Sequence, residues 1–190
     1  MHSPKYVVDT NVILARANHR EYDETAFPIH WKNFDELVDD GIIISIKTVE
    51  NEIKDLVEKN TYNEEILTWV ENHSQIFKLP KDNKYMEETI NIKNVLPGYF
   101  EHYEKKSKAD AELVVYAKAY NLILVTQETP NTKEPKPNKF KKLKIPTACK
   151  KLGGYYRCGL DVTSDIDPNQ TSFQCINFVE LARRENFGQE

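Results

Sequence analysis

The chain has no long apolar run. No segment could cross a bilayer, and the opening MHSPKYVVDTN has none of the apolar stretch of a signal peptide, so a soluble, cytoplasmic protein is expected. Cysteine is scarce. Cys149, Cys158 and Cys175 are widely spaced with no C-x-x-C pair. An odd count without zinc spacing argues for reduced packing thiols, with Cys158 and Cys175 the one conceivable pairing. The five histidines (His2, His19, His30, His73, His102) show no paired metal spacing either. Net positive charge is also missing: at −4, the total does not advertise a nucleic-acid binder. The charge is uneven, however. Between Lys133 and Lys151 eight lysines stand against one acid, Glu134. Such a run supplies phosphate contacts or is simply a solvated loop. There is no internal repeat and no low-complexity tract.

What is present is the composition of a folded α/β protein. A chain of 190 residues suits one domain, taken here as 1–190. Tyr6-Val7-Val8 is a short apolar run ending at Asp9, the mark of a strand buried on both faces. A helix is expected from Asn11 to Ala17. Another runs from Ile29 to Asp39, with Trp31, Phe34, Leu37 and Val38 on its inner stripe and Gly41 as its stop. Ile42-Ile43-Ile44 reads as a second strand. Helical spacing returns at Val49, Ile53, Leu56 and Val57, at Ile66 to Val70, at Asn83 to Val95, and at Ala109 to Tyr120. Ile76 to Leu79 is a short strand or extended chain, and Leu122 to Val125 is the third apolar strand. Pro130 to Lys142 reads as a loop, Lys144-Ile145 as an edge strand and Thr147 to Leu152 as a short helix. Residues 155–175 read as an irregular insertion, followed by a helix from Asn177 to about Arg184. Strands alternating with helices predict a Rossmannoid three-layer α/β/α fold with a mainly parallel central sheet.

Four acids fall where such a fold concentrates function. Ligands bind beyond the carboxyl ends of parallel strands. Asp9 follows the first strand, Glu128 lies just past the third, and Glu52 is on the opening turns of the helix after the second. Asp110 sits in the first turn of the helix before the third strand. Clustered carboxylates raise one another's pKa, and a divalent cation relieves that repulsion. An all-oxygen set suits Mg²⁺ or Mn²⁺, which can activate a water and neutralise charge developing on a phosphate. Each acid also has a plainer reading. Asp9 could cap the following helix. Ser107 and Asp110 match a capping box. Glu50 borders the apolar stripe on one side and Glu52 on the other, so periodicity does not choose between them. Glu128 alone could be a solvated loop acid.

These stretches resemble PIN (PilT N-terminal) domains. Y-V-V-D-T-N-V-I-L at 6–14 looks like their opening strand, and I-S-I-K-T-V-E-N-E-I at 44–53 resembles a second motif whose glutamate falls on Glu52. K-A-D-A-E-L-V-V-Y-A at 108–117 resembles the third, with Asp110, and I-L-V-T-Q-E at 123–128 the fourth, with Glu128. F-P-x-x-W at 27–31, I-P-x-x-C at 145–149 and I-N-F-V-E-L at 176–181 are similar to a prokaryotic PIN-like branch of unassigned function. The resemblance implies a PIN-like fold and a metal-dependent ribonuclease that leaves a 5′-phosphate and a 3′-hydroxyl. It makes Asp9, Glu52, Asp110 and Glu128 catalytic, metal-binding residues for Mg²⁺ or Mn²⁺, with Asn11 and Thr126 supporting them. Its expected partner is RNA. Many members are toxins held by a small antitoxin protein, often as dimers, so an antitoxin and a homodimer are candidate partners too. One departure stands out: the fourth acid is usually Asp, and Glu128 carries an extra methylene.

Other features are set aside. Asp165 to Asn169 begins like a calcium loop, but Gln170 and Ile176 occupy the positions that need Gly and Glu. Tyr155-Tyr156-Arg157 could stack on bases, with packing the plainer role. Trp31 and Trp69 lie on apolar stripes as expected core. The rival to the ribonuclease is a non-catalytic PIN-like module that binds RNA or protein. A third reading is a nuclease or phosphatase of another metal-dependent α/β family.

Overall fold

A computed structural model describes residues 3–17, 22–59, 64–100, 109–133, 140, 143–158, 161–162 and 171–188. At its centre is β1 (Tyr6–Val8), whose three side chains are fully buried. It pairs in parallel with β2 (Ile43–Ile46) on one side and β4 (Ile123–Val125) on the other, Tyr6 lying opposite Ile43 and Ile123. Near-continuous apolar strands follow from this position, because helices cover both faces. The sheet continues outward through β3 (Phe77–Lys78) beside β2, and through β7 (Gln174–Ile176) and β5 (Tyr155–Cys158) beside β4. A last strand, β6 (Asp161–Val162), returns antiparallel along β5. The order is β3-β2-β1-β4-β7-β5-β6, and every neighbouring pair but the last is parallel. The result is a three-layer, Rossmann-like α/β fold.

Eight α-helices are seen among the described residues: α1 (Thr10–Leu14), α2 (Pro28–Asp39), α3 (Lys47–Glu58), α4 (Glu65–Asn72), α5 (Asn83–Val95), α6 (Ala109–Tyr120), α7 (Ile145–Lys151) and α8 (Phe178–Arg184). A 3-10 turn at Ala15–Ala17 prolongs α1. The helix α6 is apolar nearly all round, as a buried helix must be. It packs on β1, β2 and β4 and also touches α3, α5 and α7. On α2, Trp31 stacks on Phe178 of α8 with ring centroids 4.8 Å apart, and Phe34 meets the same indole edge-on at 5.3 Å. Burying such a ring stabilises the fold by about 1.5–3 kcal/mol. Trp31 and Trp69 are both core, as expected; between them lies the guanidinium of Arg16, about 5 Å from each ring. Gly41, at φ +75°, adopts the left-handed conformation that ends α2 without a Cβ clash.

Two expectations fail. Lys144-Ile145 is not an edge strand: Lys144 is the N-cap of α7 and Ile145 its first residue. A two-residue apolar pair has no readable period, and Pro146 at the start of the helix is pre-set for helical φ. Nor is 155–175 irregular throughout. It contributes β5, β6 and β7, three strands of two to four residues whose half-polar composition hid them. Tyr155 and Tyr156 are buried in β5, so they pack rather than offer stacking surfaces. Asp165 to Asn169, Ser107, His2, His19 and His102 lie outside the described residues. All three cysteines are free thiols, so Cys158 and Cys175 are not bridged.

Candidate functional site

The carboxyl ends of β1, β4 and β7 meet in one rim. The Asp9 N–H donates to the Val125 carbonyl (3.0 Å), and the Thr126 N–H to that of Ile176 (2.9 Å). The ladder therefore persists one residue beyond each strand, which fixes the backbones of Asp9 and Thr126 relative to each other.

Asp9 is 2% exposed and serves two purposes. One carboxylate oxygen caps α1 by accepting the Thr10 N–H (2.7 Å), and the other accepts the Thr126 hydroxyl (2.8 Å). The fully buried Thr126 is the hub of the rim. Its Oγ1 also accepts the Asn11 side-chain amide (3.2 Å) and the Glu128 N–H (3.1 Å), while Asn11 Oδ1 accepts the Gln127 N–H (2.8 Å). Thr126 thus holds Asp9 directly, and Asn11 acts one step back by holding Thr126 and the Gln127 N–H.

Glu52 and Glu50 separate clearly. Glu50 is 3% exposed and held between Lys47 and Lys54, the latter at 2.6 Å. Burial pushes its carboxyl up, but the two lysines outweigh that and hold it below the usual value. Glu52 turns instead toward the rim, where its Oε2 accepts the Thr10 hydroxyl at 2.5 Å. Asp110, half-buried in the first turn of α6, is the charge that most strongly perturbs Asp9. Glu128 is gripped along its length: Oε2 accepts the Ile145 N–H at the start of α7 (2.7 Å), and its carbonyl accepts the Tyr156 hydroxyl (3.1 Å). Its carboxyl is raised by burial, with repulsion from Glu52 adding and the Ile145 N–H and Lys144 opposing.

The field converges on Asp9. Its carboxyl lies well above the ordinary range because it is buried and because Asp110, then Glu128 and Glu52, repel its charge; the Thr126 hydroxyl opposes them. Asp110, Glu128 and Glu52 are thus near enough to Asp9 for each to repel its charge. Among the described residues no lysine or arginine forms a salt bridge with Asp9, Glu52 or Glu128. Nor, among them, do three carboxylate, imidazole or thiol groups stand close enough to clasp one ion together. The side chains account for this, since Glu52 is turned to Thr10 and Glu128 to Ile145.

Three contributors escaped the sequence reading. For Thr10, a hydroxyl residue directly after Asp9 was the available signal. The backbone N–H of Ile145 and the buried Tyr156 hydroxyl had none, because each depends on which strand and helix fall beside β4.

Residues 6–157 match the family described as a domain of unknown function, DUF4411. The chain belongs to DUF4411. The matched span contains all four acids, both supporting residues, strands β1 to β4 and all of β5 but its last residue. No curated protein matches the sequence. Among solved structures, this DUF4411 chain is similar to the crystal structure of PAE2754 from Pyrobaculum aerophilum. The identity is 17%, covering 67% of this chain and 83% of that one, with a TM-score of 0.39.

Proposed function

We propose that this DUF4411 protein is a PIN-like, Mg²⁺- or Mn²⁺-dependent ribonuclease that hydrolyses RNA phosphodiester bonds. The observation that carries the reading is the burial of Asp9 at the end of the central strand with three further acids repelling its charge. Carboxylate oxygens are the donors that a hard divalent cation prefers.

The residues that would hold the cation are Asp9 and Asp110, with Glu52 and Glu128 completing the set directly or through water. A bound Mg²⁺ or Mn²⁺ would neutralise the repulsion, polarise the phosphoryl oxygens and make a water acidic enough to attack at neutral pH. The chain's own work is positioning. Thr126 and the Thr10 N–H fix both Asp9 oxygens, Asn11 fixes Thr126, and the Thr10 hydroxyl restrains Glu52. Rigid support of this kind is what in-line displacement at a phosphodiester needs.

A second reading has its own observation. Glu52 and Glu128 each spend an oxygen on the protein itself, which suits a module that binds RNA without cleaving it. One experiment separates the two. Purified wild type, Asp9→Asn and Asp110→Asn are incubated with single-stranded RNA and Mn²⁺, and product ends are analysed. The nuclease reading expects 5′-phosphate and 3′-hydroxyl products, with loss of at least about a hundredfold in each variant. Cleavage that survives in both variants overturns it, and intact RNA with wild type favours the binding module.

A further inference from the structure

Beside Glu128, the two feet of the lysine-rich segment are pinned together. The Ile145 N–H is bound to Glu128 (2.7 Å), the Lys144 N–H to Asn131 Oδ1 (2.9 Å), and the Asn131 N–H to Thr147 Oγ1 (2.7 Å). These bonds tie residues 128–131, which leave the end of β4, to the start of α7. The backbone of Lys144 is consequently fixed one residue from a hydrogen bond that ends on a site acid. Its side chain is exposed, and its Nζ lies 3.5 Å from Thr129 Oγ1, on the same edge. Its charge also reaches Glu128, where burial pushes the carboxyl up and the Ile145 N–H and Lys144 draw it back.

A polyanion approaching this rim is repelled by its carboxylates. A positive group fixed at the lip changes that balance, because it attracts phosphate without neutralising the acids inside. Lys150, on the same α7 but six residues on, stands about 9 Å further along the helix axis and offers no such placement.

We propose that Lys144 is a substrate-binding residue that contacts the phosphate backbone of single-stranded RNA beside Glu128, at the edge of the acidic rim. The assignment rests on the ribonuclease reading for its substrate class, and its test does not require cleavage.

A fluorescent single-stranded RNA is titrated with wild type, Lys144→Met, Lys144→Arg and Lys150→Met in EDTA, between ~50 and ~200 mM salt. Lys144→Met is expected to weaken binding about three- to tenfold at low salt. It should also flatten the plot of log affinity against log salt by about 0.7, the share of one single-strand phosphate contact. Lys144→Arg restores both and Lys150→Met changes neither. With Mn²⁺ present, Lys144→Met raises KM and leaves kcat nearly unchanged. A fall in kcat at constant KM would instead mean that Lys144 acts only by supporting Glu128, and would overturn the assignment. Unchanged RNA affinity and salt slope in Lys144→Met also overturn it, as does wild type that retains no RNA. RNA that binds in this pattern yet is never cut sinks the nuclease reading and leaves Lys144 as a phosphate contact.

Discussion

At the residue scale, Asp9 is the position where charge and burial conflict most. Its carboxyl is raised well above the ordinary 3.8, first by burial and then by Asp110. A carboxyl with a raised folded-state pKa holds its proton more tightly in the fold than in the unfolded chain. Its stabilising effect is therefore complete below the unfolded value and is lost as pH rises through the folded one. In metal-free protein, Asp9→Asn should raise the thermal midpoint at neutral pH, by about 2–4 °C for each kcal/mol of repulsion relieved in a chain of this size. The gain should vanish as pH approaches 3.8. Calorimetry in EDTA across that range checks it, and a variant less stable than wild type at neutral pH would contradict it. The neighbouring glutamates give a second contrast. Glu50→Gln releases Lys47 and Lys54, both partly exposed, and should cost about 1 kcal/mol in urea unfolding while leaving RNA cleavage intact. Glu52→Gln should do the reverse, lowering Mn²⁺-dependent cleavage by about 10–100-fold with little change in the unfolding midpoint. Helical spacing could not choose between these two acids, since both border the apolar stripe. What chooses is the company of lysines on one side and Thr10 on the other.

At the scale of elements, the junction between α7 and β5 decides how Glu128 is held. Gly154 lies where the chain passes from one to the other, and a Cβ there would sit 2.8 Å from both the Cys149 carbonyl and the Phe173 ring. Gly154→Ala should destabilise by about 1–3 kcal/mol, read as a lower urea midpoint at unchanged m. A variant as stable as wild type would show that the helix can slide away from β5 freely. The same junction marks the limit of what the sequence could reveal. β1, β2 and β4 were legible because each is an unbroken apolar run, and α6 because its apolar residues recur over three turns. Ile145 was misread because two residues carry no period. β5 and β7 were missed because Arg157, Cys158 and Gln174 are only half-buried at the sheet's outer part. The helix start Asn177 was readable, and its side chain does cap α8 by accepting the Glu180 N–H.

At the scale of the whole molecule, the parallel order of β2, β1 and β4 brings Glu52, Asp9 and Glu128, from distant sequence positions, to the same edge of the sheet. The motif residues were legible one by one, whereas their convergence depended on a topology that short strands do not announce. Net charge was the least informative feature, since −4 over the chain hides both the acids of the rim and Lys144 beside Glu128. The proposed chemistry requires these acids to hold a cation. Its most direct test is isothermal titration of Mn²⁺ into metal-free wild type and Asp9→Asn, with unfolding followed in parallel. Wild type should show a saturable site whose occupancy stabilises the fold by about 2.7 kcal/mol at a hundred times the dissociation constant, and Asp9→Asn should lose both the heat and the stabilisation. No saturable binding by wild type, or equal binding by the variant, would mean that Asp9 and its neighbours hold no cation.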